Sequence, residues 1–123
     1  IITTDRVTSG SAPLSQATRF GSLVFVQGCT GRHPTSDHVE EGIKEQTRHA
    51  LQRISAILEA AGSSLDQVLT NTCYVTKRED LPGFNEVYAQ FFPSDRPART
   101  TVVVNFGSHD NLVEITSTAG IPD

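Results

Sequence analysis

Apolar positions along the chain repeat with two different periods. From residue 42 to 61, Ile43, Thr47, Ala50, Leu51, Ile54, Ile57, Leu58 and Ala61 recur at helical spacing, while Lys44, Glu45, Arg48, Gln52 and Glu59 lie off that stripe. This predicts an amphipathic helix with Gly62 as its C-terminal stop. A shorter helix is predicted to start near Asp80 as N-cap, with Pro82 tolerated in the first turn and Leu81, Phe84, Val87, Tyr88 and Phe91 on its apolar face. It should end before Pro93. The apolar run 22–27, ending at Gly28, reads as a buried strand, and 2–7, 17–20 and the β-branched stretch 68–76 read as further strands. The stretch 28–42 is rich in Gly, Pro, Thr, Ser and Asp and reads as a long surface loop. Strands at 100–104 and 112–118, with Gly107-Ser108-His109-Asp110-Asn111 between them, read as a hairpin.

The resulting order, β-β-β-α-β-α-β-β, predicts one α+β domain over residues 1–123, a mixed sheet with two helices on one face. Residues 23–26 and 102–104 are apolar at consecutive positions, so both faces of those strands call for burial. Two helices cover one face only. The helix-free face is therefore expected to be buried by closed self-association.

Composition narrows the function. Ten Lys and Arg against fourteen Asp and Glu leave a net charge of -4 with no basic cluster, which disfavours nucleic acid as the main partner. No apolar run approaches the roughly 20 residues of a membrane span. The start, Ile1-Ile2-Thr3-Thr4, carries no basic region or cleavable signal, so a cytoplasmic protein is expected, shorn of a few residues before Ile1. Cys29 and Cys73 are expected as reduced thiols rather than a disulfide.

Few residues suggest chemistry. His33, His38 and His109 fall in loops and His49 on the polar side of the first helix; no two have metal-ligand spacing, and all four are read as solvated. Cys29 follows a strand end and is read as a small residue in a tight loop, with an exposed, functional thiol as the alternative. Arg99 stands at the mouth of a strand, where its guanidinium fork would suit a carboxylate, with a plain surface arginine as the alternative. Glu114 interrupts an apolar strand on the face opposite Val113 and Ile115. A carboxylate there is either paired with an interface cation or acts on a ligand. A hairpin pairing Asn105 with Leu112 would put Arg99, Thr101 and Glu114 on one face, with Arg99 still roughly 13 Å along the strand from Glu114's partner. A ligand or a neighbouring subunit would have to bridge that gap.

Taken together, Pro97-Ala98-Arg99, Phe84-Asn85-Glu86-Val87-Tyr88, Val113-Glu114-Ile115 and Leu58-Glu59-Ala60-Ala61-Gly62-Ser63-Ser64-Leu65-Asp66 resemble the RidA/YjgF family of reactive intermediate deaminases, over about residues 12–119. The resemblance implies a chorismate-mutase-like fold assembled as a homotrimer with active sites between subunits. It also implies hydrolysis of 2-imino or 2-enamino acids to 2-keto acids and ammonia without metal or organic cofactor. By the same resemblance the carboxylate-binding arginine is Arg99 and the acidic residue near the reactive carbon is Glu114. The strand-end glycine is Gly28, the helix asparagine Asn85, and the small polar position two after the arginine Thr101.

In that reading Arg99 fixes the substrate carboxylate and Glu114 orients or deprotonates water, with Phe84, Phe91 or Val24 as low-dielectric walls. Asn85 is expected to hold local structure. The chain departs from the family's pattern at Leu14, where a tyrosine is usual, at Cys29-Thr30-Gly31-Arg32-His33, and at Thr116, where an acidic residue is usual. Arg32 would offer a second guanidinium for a dicarboxylate such as 2-aminomuconate; its alternative is an exposed loop arginine. Two further functions remain open, a non-catalytic binder of 2-keto acids and an RNA-cleaving translation inhibitor, the latter disfavoured by the acidic balance.

Overall fold

The computed structural model describes residues 1–107 and 110–123. It contains β1 (Ala17–Phe20), β2 (Leu23–Val26), β3 (Cys29–Thr30), α1 (Ile43–Ala60), β4 (Val68–Val75), α2 (Leu81–Phe91), β5 (Ala98–Val103) and β6 (Val113–Gly120). The sheet runs β1-β2-β6-β4-β5, with β3 pairing β6 beyond the end of β2. The two helices cover one face, as their apolar stripes require. Ala50, Leu51, Ile54, Ile57 and Leu58 of α1 and Phe84 and Val87 of α2 are fully buried, together with Val24, Cys73, Val75, Val113, Ile115 and Ala119 of the sheet.

The predicted helix boundaries hold to within a residue, for identifiable reasons. α1 ends in a Schellman motif, with Gly62 at φ +82° and its N–H donating to Glu59 O while Ser63 N–H donates to Leu58 O at 2.8 Å. α2 does begin after Asp80, but the Asp80 carboxylate makes no capping hydrogen bond; a 3-10 turn, Arg78–Asp80, leads into the helix instead.

Three strand expectations fail. Residues 2–7 form only a single bridge, Ile2 to Ala17. The buried Gln16 side chain takes the backbone groups a ladder would use: its Oε1 accepts from Thr4 N–H at 2.8 Å and its Nε2 donates to Thr4 O and Val7 O. The stretch 28–42 is not wholly loop, because Cys29–Thr30 adds to β6.

The C-terminal hairpin does not exist. β4 lies between β5 and β6, parallel to the first and antiparallel to the second. α2 is the crossover that a parallel β4–β5 pair needs. Ser108 and His109 of the expected turn lie outside the described residues.

The helix-free face carries Phe20, Leu23, Phe25 and Val102, all substantially exposed at 38% or more. It also carries Tyr74, Glu114 and a field of threonines, Thr70, Thr72, Thr100, Thr116 and Thr118, in one register. Among the described residues no helix is long and apolar enough to cross a membrane.

Candidate functional site

The displaced hairpin changes where the candidate residues stand. Glu114 is in register with Tyr74 and, through it, with Val102. Arg99 is in register with Asn71 and Ser117, and Thr101 with Cys73 and Ile115, all on the helix-covered face. Partners in register project to the same side of a sheet, so Arg99 and Thr101 face the helices while Glu114 faces the other way. The expectation that the three share one face is thereby corrected.

Arg99 is built into a cleft between α2 and β5, about 360 Å³ in volume, with Asn85, Tyr88, Ala89, Arg96 and Pro97 around it. Its guanidinium lies 4.7 Å from the Tyr88 ring centroid and 5.2 Å from that of Phe84. Its Nη2 donates to Asn85 Oδ1 at 2.7 Å. One edge of the planar fork is thus held by an amide and two aromatic faces, which positions the rest for an external anion. The rings are fixed in turn. Asn71 Nδ2 donates to the Tyr88 hydroxyl at 2.9 Å and Ser117 Oγ donates to Asn71 Oδ1 at 2.5 Å, both in the core. Cys73, beneath the site, is pushed up to about 12 by burial against the opposing pull of Arg99, and so stays a neutral thiol. Thr101 Oγ1 is buried and has no hydrogen-bond partner among the described residues.

Glu114 belongs to a second group. Its carboxylate lies directly over the Gly28 backbone; a β-carbon at Gly28 would collide with Glu114 Oε2 and stand 2.9 Å from its Cδ. Thr30 is its register partner on β3. Half-burial raises the Glu114 carboxyl above the usual carboxylate range, because its charged form is desolvated.

A third group lies beside it. Leu14, Arg32, Thr30, Gln27 and Arg53 line a pocket of about 400 Å³ under the segment 8–16. Arg32 Nη1 approaches Asp37 Oδ2 at 3.5 Å and is partly exposed, not free in a mobile loop, since Arg32 also bridges Val39.

Several expectations need correcting. Cys29 is a fully buried strand residue on the core face, its thiol pushed up to about 11 by burial, and so neither a loop residue nor an exposed thiol. Val24 is core rather than a cleft wall, and Phe91 lines a separate depression with Leu65 and Asp66. His49 is buried, edge-on to His33 at 5.0 Å between centroids, instead of solvated. Gln46, Arg53, Asn71 and Tyr88 went unmarked in the sequence as polar groups with structural or site roles. The first two each precede a residue of α1's apolar stripe, Thr47 and Ile54, by one position, and only the segments packed over the helix make that flank interior.

A family model described as endoribonuclease L-PSP matches residues 4–121. The chain belongs to this family, the RidA/YjgF family. It is 40% identical over 111 residues to 3-aminoacrylate deaminase RutC of Acinetobacter baylyi, covering 89% of this chain and 88% of that one. The solved RidA of an Antarctic Psychrobacter superposes with a TM-score of 0.92 at 33% identity, covering 98% of each chain. Escherichia coli TdcF with bound serine gives the same TM-score at 32% identity, covering 98% of this chain and 97% of that one.

Proposed function

We propose that the protein is a cofactor-free deaminase that hydrolyses the C=N bond of small 2-imino or 2-enamino acids, giving a 2-keto acid and ammonia. The observation that carries this reading is the pair of prepared groups. Arg99 is clamped by Asn85 between aromatic rings with its fork open to a cleft, and the Glu114 carboxylate is held over Gly28 with its pKa raised. The first suits a substrate carboxylate and the second suits a group that both takes up and returns a proton. The deaminase name of the Acinetobacter relative supports the same reaction class.

Water adds to the electrophilic imine carbon while Glu114 accepts its proton. Starting from the protonated imine, the carboxylic acid so formed returns the proton to nitrogen. Glu114 then takes the remaining hydroxyl proton as the C–N bond breaks and the carbonyl forms, and passes it to the departing ammonia, which leaves as ammonium. For an enamine, the protonated carboxyl first delivers a proton to the β-carbon, a role that a raised pKa favours. Because the two groups face opposite sides of one chain, a site with both needs two chains. That requirement favours the chorismate-mutase-like trimer with sites between subunits. A dicarboxylic enamine is the narrower substrate that Arg32 motivates.

The test is ammonia and keto-acid release from 2-iminobutanoate and 2-iminopropanoate, generated in place by an amino-acid oxidase, with Arg99→Ala alongside. Turnover that vanishes in the variant supports the deaminase. Tight keto-acid binding without ammonia release would select a second reading, a non-catalytic carboxylate binder. That reading is favoured by Leu14, an exposed apolar side chain without a hydroxyl to offer a ligand.

A further inference from the structure

Among the described residues, Arg53 is a buried charge without a carboxylate partner. It lies on α1 and is 7% exposed. A guanidinium stays protonated at any physiological pH, and burying one without a counter-charge is costly. Yet among the described residues no carboxylate oxygen lies within 4.0 Å of it. Its Nη1 donates to Thr8 Oγ1 at 3.4 Å, the guanidinium also hydrogen-bonds the neutral Cys29 thiol, and its buried Nε has no hydrogen-bond partner among the described residues. Asp37 reaches it only through Thr8, whose hydroxyl donates to Asp37 Oδ1 at 3.2 Å.

This guanidinium, with neutral partners but no counter-charge among the described residues, lines the pocket of about 400 Å³ under segment 8–16. Arg32 stands on the same wall, drawn toward Asp37 at a long 3.5 Å. The remaining lining is neutral hydrogen-bonding surface from Gln16, Gln27 and Thr30, with Leu14 over it. Two cations against one carboxylate leave the pocket with an unbalanced positive charge. Thr30 joins it to the Glu114 group, because Thr30 lines the pocket and is also Glu114's register partner. Adjacent strands lie about 4.8 Å apart, so the pocket opens roughly one strand's width from the proton-transfer carboxylate.

We propose that this pocket is a second carboxylate subsite, with Arg53 as its buried anchor and Arg32 at its mouth, and that the substrate is a small dicarboxylate whose distal carboxylate enters here. The proposal rests on the deaminase reading for its account of the reacting end, but the subsite itself is tested by binding alone. A C6 dicarboxylate, adipate, and its monocarboxylate counterpart, hexanoate, would be titrated calorimetrically into wild type, Arg53→Gln and Arg53→Lys. Wild type should bind adipate at least ten-fold more tightly than hexanoate. Arg53→Gln should abolish that preference while shifting hexanoate less than two-fold, and Arg53→Lys, which keeps a charge, should retain part of it. Equal affinity of wild type for the two ligands overturns the proposal even if Arg53→Gln fails to fold. An adipate preference that survives Arg53→Gln overturns it as well. Adipate preference without ammonia release from any imine would leave the subsite standing and sink the deaminase reading. Imine turnover without adipate preference would do the reverse.

Discussion

At the scale of single residues, the Glu114 carboxylate and the absent side chain of Gly28 form one device. The carboxylate occupies the volume that a β-carbon would take. Gly28→Ala should therefore cost little stability, since the group it meets is the far end of the flexible Glu114 side chain, yet should displace the carboxylate. A drop of ten-fold or more in kcat/KM with a near-normal melting temperature is the expected outcome. Burial raises Glu114, so the folded chain binds its proton more tightly than the unfolded chain does. The stability contribution of this group is thus greatest below its unfolded pKa and declines as pH rises through the folded value. Two measurable consequences follow. In the wild type, kcat/KM should fall on the acid side with an apparent pKa above the ordinary carboxylate value of about 4.3. Glu114→Gln should lose turnover while melting no lower than wild type at pH 7. A melting temperature clearly depressed by Glu114→Gln would mean that the carboxylate is paired with a cation in the assembled protein.

At the scale of elements, β4, α2 and β5 form the parallel unit that carries Arg99. Its interior is cross-braced by Asn71, Tyr88 and Ser117. Tyr88→Phe removes the acceptor of the buried Asn71 amide, a loss of about 1–3 kcal/mol, and should lower the melting temperature by several degrees. The phenyl ring would still stack on Arg99, so thermal denaturation should register the change more strongly than KM does. Arg99→Ala should do the opposite, costing roughly 100-fold in kcat/KM with little effect on melting, because Arg99 is exposed and Arg99→Lys cannot reproduce its fork.

This unit is also where the sequence misleads. The period of α1 and α2, the capping glycine and the apolar strand runs are local properties, and all were legible. The β5–β6 hairpin was read from turn residues, which report that the chain reverses and not whether a third strand lies between its arms. The length of the connection between the expected strands, residues 105–111, beyond the two to five residues or so of a common hairpin loop, was the available warning. The same error put Arg99 and Glu114 on one face. Their candidacy as site residues came from short motifs that survive an incorrect register, whereas Arg53 carried no motif and became visible only as a buried charge.

At the scale of the whole molecule, the helix-free face and the split site lead to one requirement. Phe20, Leu23, Phe25 and Val102 leave a partly apolar sheet face uncovered, and the proposed catalysis needs an Arg99 from a chain other than the one supplying Glu114. If the chains close as a trimer across that face, light scattering should give about three times the 13.3 kDa of one chain, and Phe25→Glu should reduce it to one. Size alone would not establish that a site is shared. Mixing can. Arg99→Ala and Glu114→Gln should each be inactive by itself, but each retains the group the other lacks. When the two are unfolded together in equal amounts and refolded, a site is intact wherever an Arg99→Ala chain offers Glu114 to a neighbouring Glu114→Gln chain that offers Arg99. Random assembly makes that combination at about one site in four, so the mixture should recover about a quarter of wild-type turnover. A site contained within one chain would recover none, because neither variant carries both groups.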